Sequence, residues 1–197
     1  QVAPTLEGIR RDHRARYERA ARRLGKNRRI LDLACGIGYG SFILASAGHR
    51  VLGIDRAQEA LDYGEMHYRH RAVRRRAADA AALTFPARTR FDAAVCFETI
   101  EHVADPLPML RALHKVVPRL IASVPNEEVF PFRNYAFHHR HYTRAEFSDL
   151  LARAGWRVVE WWGQEGPQSD VARDLNGRTV IAVARPAKPV EPPAPAL

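Results

Sequence analysis

The sequence contains no long apolar run: no hydrophobic stretch approaches the roughly 18 residues that a membrane-spanning helix requires. Its first residues are basic and polar, unlike the apolar core of a secretory signal peptide. Cysteine is scarce, and because Cys35 and Cys96 both lie in predicted strand ends, we expect two free thiols in a reducing compartment. These absences predict a cytoplasmic protein with no membrane partner.

Acidic residues are also in short supply, with 22 Asp and Glu against 31 Lys and Arg and a formal net charge of +9. The arginines concentrate in residues 10–23 and 69–76. Such clusters can bind nucleic acid or an acidic substrate. Neither cluster has the repeated aromatic residues that stack on bases, so we favour a solvated basic face and keep RNA as an alternative partner.

Internal repeats are absent, and the one segment of biased composition is residues 186–197, where five of twelve residues are proline. Such a segment does not form a packed element. The hydrophobic content of 46% is ordinary for a globular protein and suffices for one core. We therefore predict a single domain over residues 1–185 followed by a proline-rich flexible tail at 186–197.

Apolar runs and helical patterns alternate along the chain, which is typical of right-handed βαβ units. Strands are predicted at residues 29–34, 50–54, 91–97, 120–124, 157–162 and 179–184. Helices are predicted at 39–47, 57–70, 106–116 and 144–154, with a leading helix at 6–24 outside the sheet. The pattern predicts a doubly wound, Rossmann-like α/β fold: a seven-stranded, mainly parallel sheet with an antiparallel last strand and an N-terminal covering helix.

The most informative stretch is a buried strand that runs directly into a glycine-rich turn and then a helix. It reads Ile-Leu-Asp-Leu-Ala-Cys-Gly-Ile-Gly-Tyr-Gly over residues 30–40. Glycines let a ligand approach the backbone, and the helix that follows offers unpaired N–H groups. Nineteen residues after Gly36, Asp55 ends the next strand, where a carboxylate can accept both ribose hydroxyls. Together the two features predict an adenosine cofactor.

Two details decide which cofactor fits this turn. A dinucleotide fold would place its third glycine at position 41, but Ser41 stands there. Asp32, just before the turn, would repel a pyrophosphate and could hold an ammonium group. A cofactor with a cationic amino-acid part is therefore favoured over NAD.

With these motifs in order, the chain resembles a class I S-adenosylmethionine-dependent methyltransferase of the bacterial type 11/12 over nearly its whole length. The resemblance implies that Asp32 holds the methionine amino group, Asp55 the ribose and Asp79 the adenine. Tyr17 in the leading helix is implied as a further contact, with simple packing of the helix as the alternative. The implied cofactor-binding residues are Tyr17, Asp32, Ala34, Cys35, Gly36, Gly38, Asp55, Arg56, Asp79, Ala80 and Phe97.

A second group of polar residues follows the predicted fourth strand, at the carboxyl edge where such sheets bind ligands. If the segment begins a helical turn, Glu98 faces both Glu101 and His102. Two carboxylates and an imidazole could hold a divalent cation such as magnesium or manganese. The alternative is a metal-free Glu-His pair that packs, contacts the cofactor or supplies a base.

The same motif resembles the Glu-x-x-Glu-His of methyltransferases of ubiquinone biosynthesis and of small-RNA 3′ ends. The RNA enzymes add a histidine shortly before a Thr-Arg helix start, which implies His138 as a fourth ligand with Glu98, Glu101 and His102. The alternative is that His138, His139 and His141 are all surface polar residues of a mobile substrate loop, and of the three we favour His138 as the one that faces the site. Thr143 with Glu146 is a capping box and needs no catalytic role.

The implied reaction is O-methylation of a hydroxyl on a small molecule or glycan, with His102, His138 and Glu98 as candidate catalytic residues. One alternative is metal-dependent 2′-O-methylation of RNA ends. Another is a non-catalytic partner subunit that binds S-adenosylmethionine. The sequence does not determine the acceptor, the methylated atom or the oligomeric state.

Overall fold

The alternating runs form one mixed sheet flanked by helices in a computed structural model, which describes residues 2–187. The strands are β1 Arg29–Leu33, β2 Arg50–Asp55, β3 Val73–Ala77, β4 Ala93–Cys96, β5 Leu120–Pro125, β6 Trp156–Gln164, β7 Ala172–Arg173 and β8 Thr179–Pro186. The helices are α1 Arg11–Leu24, α2 Tyr39–Ser46, α3 Gln58–His67, α4 Leu107–Val116 and α5 Arg144–Arg153. Most of the predicted tail, from residue 188 onward, lies outside the described residues.

The strand order is β3-β2-β1-β4-β5-β8-β6-β7, with β1 to β5 parallel and β8 antiparallel to both β5 and β6. This confirms the doubly wound, Rossmann-like prediction with an antiparallel last strand. The eighth strand, β7, has only two residues and pairs with the end of β6. The strand count therefore differs from the predicted seven by one short edge strand.

Strand β3 has no counterpart among the predicted strand ranges, since its sequence Val-Arg-Arg-Arg-Ala lies inside the second arginine cluster. It is an edge strand, so only Val73 is buried and its polar side chains stay near water. Arg75 is the exception: its guanidinium is buried and donates to the backbone carbonyls of Gly64 and Tyr68. Part of the second arginine cluster, which was predicted to be a solvated basic face, is thus a strand that holds α3 in place.

Alternate residues of the strands supply two cores, one on each face of the sheet. Leu31 and Leu33 of β1 face a core built with α4 and α5, whereas Ile30 faces one built with α1 and α2. Trp156 joins the first core and Trp162 the second. Both cysteines are buried free thiols, as predicted, and burial raises the pKa of Cys96 to about 12.

The leading helix begins later than predicted, because residues 6–8 form a separate 3-10 turn before α1 starts at Arg11. Helix α1 packs against α2 where Gly40 meets the ring of Tyr17. A Cβ atom at position 40 would lie 2.0 Å from that ring, so this glycine is required by close approach. The contact fixes Tyr17 beside the glycine-rich turn.

Within residues 2–187, no helix has both the length and the apolar character needed to cross a membrane.

Candidate active site

A cavity of about 670 Å³ opens at the carboxyl edge of the sheet, beyond the ends of β1, β2 and β4. This is the edge at which open parallel sheets bind ligands. Its walls come from the loops after β1, β2, β3 and β4 and from the histidine-containing segment that precedes α5. The lining residues are Ala34, Ile54, Asp55, Arg56, Ala78, Asp79, Ala80, Ala81, Glu98, Thr99, His102, Val103, Ala104, Phe137, His138 and His139.

One half of the cavity carries two carboxylates at the ends of β2 and β3. Asp55 accepts hydrogen bonds from the backbone N–H of Gly36 over 2.7 Å and of Ala57 over 3.0 Å. Asp79 accepts from the N–H of Ala81 over 2.8 Å and so caps a 3-10 turn, while it also faces the cavity. The backbone bonds orient both carboxylates and leave lone pairs for a ligand.

Asp32 is fully buried behind this half of the cavity and does not line it. The Ser41 hydroxyl donates to Asp32 over 2.6 Å, and the Tyr17 hydroxyl donates over 3.1 Å. Burial raises the pKa of Asp32 to about 7, against the lowering effect of these two hydroxyls. Ser41, the residue that departs from the dinucleotide pattern, thus has a defined role as a donor to this carboxylate.

The predicted cofactor residues divide into two sets. Ala34, Asp55, Arg56, Asp79 and Ala80 line the cavity. The others form its support: the N–H of Gly36 holds Asp55, and Phe97 packs edge-to-face on Tyr17 with ring centroids 4.9 Å apart. Residues of this supporting set, which are absent from the cavity lining, are Tyr17, Asp32, Cys35, Gly36, Gly38 and Phe97.

Arg16 links the leading helix to the other half of the cavity. Its side chain is 1% exposed, and its guanidinium pairs with the Glu98 carboxylate over 2.7 Å. Two of its nitrogens, Nε and Nη2, are buried without a hydrogen-bond partner, although Nη2 lies 3.9 Å from a carboxylate oxygen of Asp12. The guanidinium therefore keeps donor capacity that the surrounding side chains leave unused.

Glu98 differs from its predicted geometry. Its φ of +50° is left-handed, and the 3-10 turn begins only at Ile100, so Glu98 and Glu101 do not share one helical turn. The Glu98 carboxylate also accepts from the Ser123 hydroxyl over 3.0 Å. Burial raises the pKa of Glu98, but Arg16 and the other donors outweigh burial and hold it below the usual value. Glu98 is thus an ionised partner of Arg16 at the cavity wall.

Glu101 is buried, and neither carboxylate oxygen has a hydrogen-bond partner among the described residues. Burial, reinforced by the nearby charge of Glu98, raises the pKa of Glu101 well above its usual value. A buried carboxyl without a partner is costly unless it is protonated or faces a cation. Glu101 is therefore an acid whose surroundings favour one of those two states.

His102 and His138 stand next to Glu101 with their ring centroids 4.6 Å apart. The Nδ1 of His102 lies 2.9 Å from the carbonyl oxygen of Phe137, which can only accept, so Nδ1 carries the proton. The lone pair of neutral His102 is therefore on Nε2.

His138 is oriented in the same way through His141. The Nδ1 of His141 donates to the carbonyl oxygen of Phe130 over 2.7 Å, so in the neutral ring its Nε2 accepts from Nδ1 of His138 over 2.8 Å. Burial lowers the pKa of His138, which favours the neutral ring. Both cavity histidines thus present Nε2 as an acceptor, and His141 is buried where the sequence suggested a surface residue.

One group of three residues has the spacing of a metal site. Each of Glu101, His102 and His138 can offer one ligand atom, and these atoms all lie within 4.8 Å of one another. Glu98 is outside this group, in contrast to the predicted four-ligand set, because its carboxylate is turned toward Arg16 and Ser123. The group combines one oxygen with two imidazole nitrogens.

Sequence reasoning missed three residues of this site: Arg16, Ser41 and His141. Arg16 was counted within the basic cluster at residues 10–23, and no local pattern distinguishes this buried arginine from the others in that cluster. Ser41 was noticed only as a missing glycine. His141 was indistinguishable from its histidine neighbours, since only the folded segment brings Phe130 to its Nδ1.

Comparison with known proteins agrees with this geometry. Residues 31–119 match the methyltransferase-domain family. A Mycolicibacterium smegmatis protein named a probable S-adenosylmethionine-dependent methyltransferase is 31% identical over 160 residues, which cover 78% of this chain and 61% of that protein. A ubiquinone biosynthesis O-methyltransferase of Paraburkholderia phymatum is 38% identical over 92 residues, 46% of this chain and 40% of the enzyme. The chain thus matches about two fifths to three fifths of the length of these relatives.

Solved structures share the fold at low identity. An S-adenosylmethionine-dependent methyltransferase of Mesorhizobium loti superposes with a TM-score of 0.70 at 18% identity, covering 92% of this chain and all of that one. A Burkholderia thailandensis 1,6-didemethyltoxoflavin N1-methyltransferase, solved with its substrate and S-adenosylhomocysteine, has a TM-score of 0.66 at 21% identity, covering 87% of this chain and 79% of that one. The chain therefore shares the fold of these S-adenosylmethionine-dependent methyltransferases.

Proposed function

We propose that the chain is an S-adenosylmethionine-dependent methyltransferase that methylates a hydroxyl of a small molecule or glycan. The main observation in support is that one cavity has two chemically different halves. One half has the carboxylates Asp55 and Asp79, and the other has the imidazoles of His102 and His138. A methyl donor and the hydroxyl that accepts the methyl group could therefore bind side by side in one cavity, which lowers the entropic cost of their encounter.

The residues present fit the cofactor. Asp55 can accept the ribose hydroxyls because its two hydrogen bonds to backbone N–H groups fix its orientation. Asp79 lines the same half of the cavity and could accept a hydrogen bond from the adenine amino group. Buried Asp32, with its raised pKa, would be stabilised as an anion by an ammonium group nearby. When bound, the cofactor supplies a methyl group already activated by its sulfonium sulfur.

The protein's chemical task is then to orient the acceptor and remove its proton. Nε2 of His102 or His138 can accept that proton, since both Nδ1 atoms are already donating. General-base catalysis of this kind contributes about 10²–10⁴-fold. His141 is a positioning residue here, because its bond to Phe130 fixes which nitrogen of His138 carries the proton.

A divalent cation, magnesium or manganese, fits the same histidines together with Glu101. The two unpaired oxygens of Glu101 are the supporting observation, since a cation would replace the proton that the buried carboxyl otherwise retains. The imidazoles have their Nδ1 protons engaged, which is the usual arrangement for metal-binding histidines. Such a cation would lower the pKa of an acceptor hydroxyl.

The small-molecule acceptor is supported by the names of the relatives, several of which are ubiquinone biosynthesis O-methyltransferases. The cavity volume of about 670 Å³ lies within the range of small-ligand sites. The acceptor side is walled by Val103, Phe137 and His139, so an aromatic or partly apolar alcohol fits its chemistry.

The test is a calorimetric titration of S-adenosylhomocysteine, followed by transfer of a labelled methyl group from S-adenosylmethionine to a panel of catechols, phenols and sugars. We expect micromolar cofactor binding and turnover of at least one hydroxyl acceptor, faster with manganese than with EDTA. Tight binding with no product from any acceptor would instead support a non-catalytic partner subunit. No binding at all would contradict the proposal.

A further inference from the structure

The amino edge of the sheet, opposite the cavity, carries an arginine on five of the six strands from β2 to β6. Arg29 and Arg50 open β1 and β2, and Arg119 directly precedes β5. Arg157 is the second residue of β6, and Arg185 lies near the end of antiparallel β8, so both reach the same edge. From β2 to β6 this arginine band crosses five strand spacings, about 24 Å.

Three of these arginines are direct neighbours. Arg157 pairs with Arg185 across β6 and β8, and the register that joins Leu120 to Ala184 brings Arg119 beside Arg185. Burial and the adjacent charges of Arg185, Arg28 and Arg23 lower the pKa of Arg119. Like charges directly opposite one another destabilise a sheet. The fold therefore tolerates a repulsion that an anion would relieve.

Two carboxylates lie close to the band, and both already have partners. Asp92, directly before β4, accepts a hydrogen bond from the backbone N–H of Arg29 over 2.7 Å. Glu160 pairs with Arg23 and accepts from the indole of Trp162. Within residues 2–187, no acidic side chain forms an ion pair with Arg119, Arg157 or Arg185, although the charge of Asp92 partly offsets the lowering of the pKa of Arg119. Arg157 and Arg185 are exposed, and Arg119 is half-buried.

The band continues at β2 into a hollow of about 490 Å³. Of the residues described there, none is acidic, and two arginines and two histidines are present. The lining residues are Asn27, Ala45, Ser46, Gly48, His49, Arg50, His70, Arg71 and Ala72. A hollow with this lining is suited to an anion rather than to a metal or an amine.

The hydrogen bonds within the hollow leave N–H groups free to donate to a ligand. His70 Nδ1 accepts from the N–H of Ala72 over 3.1 Å, so the proton of the neutral ring is on Nε2. His49 Nδ1 accepts from the N–H of Arg28 over 3.3 Å, which ties the hollow to the adjoining part of the band. Arg50 and Arg71 are exposed and add two guanidinium groups, which bind phosphate in a bidentate manner.

We propose that the arginine band and its hollow form a docking surface for the phosphate backbone of a nucleic acid. Alternation along the strands places Arg29 and Arg50 toward the α4 and α5 face, and Arg119, Arg157 and Arg185 toward the α1 and α2 face. The band thus follows the edge of the sheet over about 24 Å, and positive charge spread over such a length matches a repeating anion better than a single small one. Of the large apolar side chains exposed in residues 2–187, none belongs to the band, so it lacks the groups that insert into a lipid surface. It also lacks exposed aromatic rings for stacking on bases, so binding would be independent of sequence.

This surface is separate from the proposed methyl-transfer site. The strands run between them, so the band lies at their amino ends and the cavity at their carboxyl ends. No residue lines both the cavity and the hollow. The docking proposal therefore does not rest on the proposed enzymatic activity, and it concerns binding alone.

The test measures binding of a fluorescein-labelled 20-nucleotide RNA of mixed sequence by anisotropy between 50 and 200 mM NaCl. With about four phosphate contacts we expect affinity to fall about 50-fold over this range. Replacing Arg50, Arg71 and Arg185 by Gln should weaken binding at least 10-fold and reduce the salt slope by about 2. The matched control replaces Arg88, Arg111 and Arg153, three exposed arginines away from the band.

The control variant loses the same net charge, and we expect its RNA affinity to stay within about threefold of the unaltered protein. Melting temperatures and S-adenosylhomocysteine titrations of both variants check that each is folded. Equal losses in the two variants would mean that net charge alone binds RNA, and this would overturn the proposal. Binding to phosphatidylserine vesicles that is tighter than binding to RNA would overturn it as well, in favour of a lipid surface.

Discussion

The two edges of the sheet use charge in opposite ways. At the carboxyl edge, acids such as Asp32 and Glu101 are buried, and burial moves their pKa upward. At the amino edge, Arg50, Arg157 and Arg185 lie at the surface, where water screens them. The difference shows how one parallel sheet separates its functions: the carboxyl ends open into loops that enclose a ligand, whereas the amino ends present only strand starts to solvent.

The largest expected effect is at the histidines of the carboxyl edge. His102→Ala removes a proton acceptor, so turnover of any accepted hydroxyl should fall about 10²–10⁴-fold. S-adenosylhomocysteine affinity should change less than about threefold, because the cofactor half of the cavity keeps Asp55 and Asp79. His67→Ala, on exposed α3, is the matched control. Retained turnover in His102→Ala would remove this residue from the mechanism.

The second largest effect tests whether the two edges of the sheet bind their ligands independently. Asp55→Asn keeps the shape of the side chain but removes its charge, so S-adenosylhomocysteine affinity should fall about 10- to 100-fold, the value of a hydrogen bond to a charged group. Asp62→Asn, an exposed acid on α3, should leave that affinity unchanged. Calorimetry measures both variants.

The same Asp55→Asn protein should bind labelled RNA as the unaltered chain does, whereas the triple arginine variant should lose RNA and keep the cofactor. A variant at one edge that impaired both ligands equally would show that the edges are coupled. In that event, the separation drawn from the sheet topology would not hold.

A smaller effect concerns stability and pH. The pKa of Asp32 is about 7 in the folded protein and 3.8 as a free group, so the folded state binds this proton more tightly. The contribution of Asp32 to stability is therefore largest at low pH, falls as the pH rises from about 3.8 to about 7, and changes little above that. Between pH 5 and 8 the loss due to Asp32 is on the order of 2 kcal/mol.

Asp32→Asn cannot ionise, so its free energy of unfolding should fall less between pH 5 and pH 8 than that of the unaltered protein. Urea unfolding at the two pH values measures the difference. The amide also replaces one carboxylate oxygen by a donating NH2 group, so only one of the Tyr17 and Ser41 hydroxyls keeps its acceptor, which lowers stability at both pH values by a similar amount. Parallel pH profiles for the two proteins would show that Asp32 is not a proton-binding group in this range.

The smallest effect is at the amino edge. Arg185→Gln removes the central member of the row Arg157, Arg185 and Arg119 and should raise the free energy of unfolding by about 0.2–1 kcal/mol. Arg88→Gln, on an exposed loop, should change it by less. Thermal melting in low salt measures both. A lower melting temperature for Arg185→Gln would mean that this arginine stabilises the sheet.

Much of the carboxyl edge could be predicted from the sequence because its signals are local. The turn at residues 30–40 and Asp55 nineteen positions after Gly36 both lie within one βαβ unit. The capping box of Thr143 and Glu146 was predicted for the same reason and is confirmed by both of its hydrogen bonds. Backbone geometry fixes such short-range relations, so residue spacing alone is sufficient evidence.

The parts that the sequence missed depend on contacts across long separations. Arg16 meets Glu98 across 82 residues, and His141 is oriented by Phe130 only when the loop before α5 is folded. Glu98 was expected in a helical turn, but its left-handed conformation directs it toward Arg16 instead. No residue spacing encodes these contacts: the Arg16–Glu98 pair arises from packing α1 against the loop after β4, and the His141–Phe130 bond arises from the folding of the segment before α5.

The sequence by itself determined the doubly wound fold, the glycine-rich turn and the acids at the strand ends, since each follows from hydrophobic period, glycine placement and position after a strand. Only the tertiary structure decided which acids are buried, which nitrogen of each histidine is free, and that arginines from six separate segments share one edge. Strand order and register set these properties, because residues far apart in the chain become neighbours only after the sheet has formed.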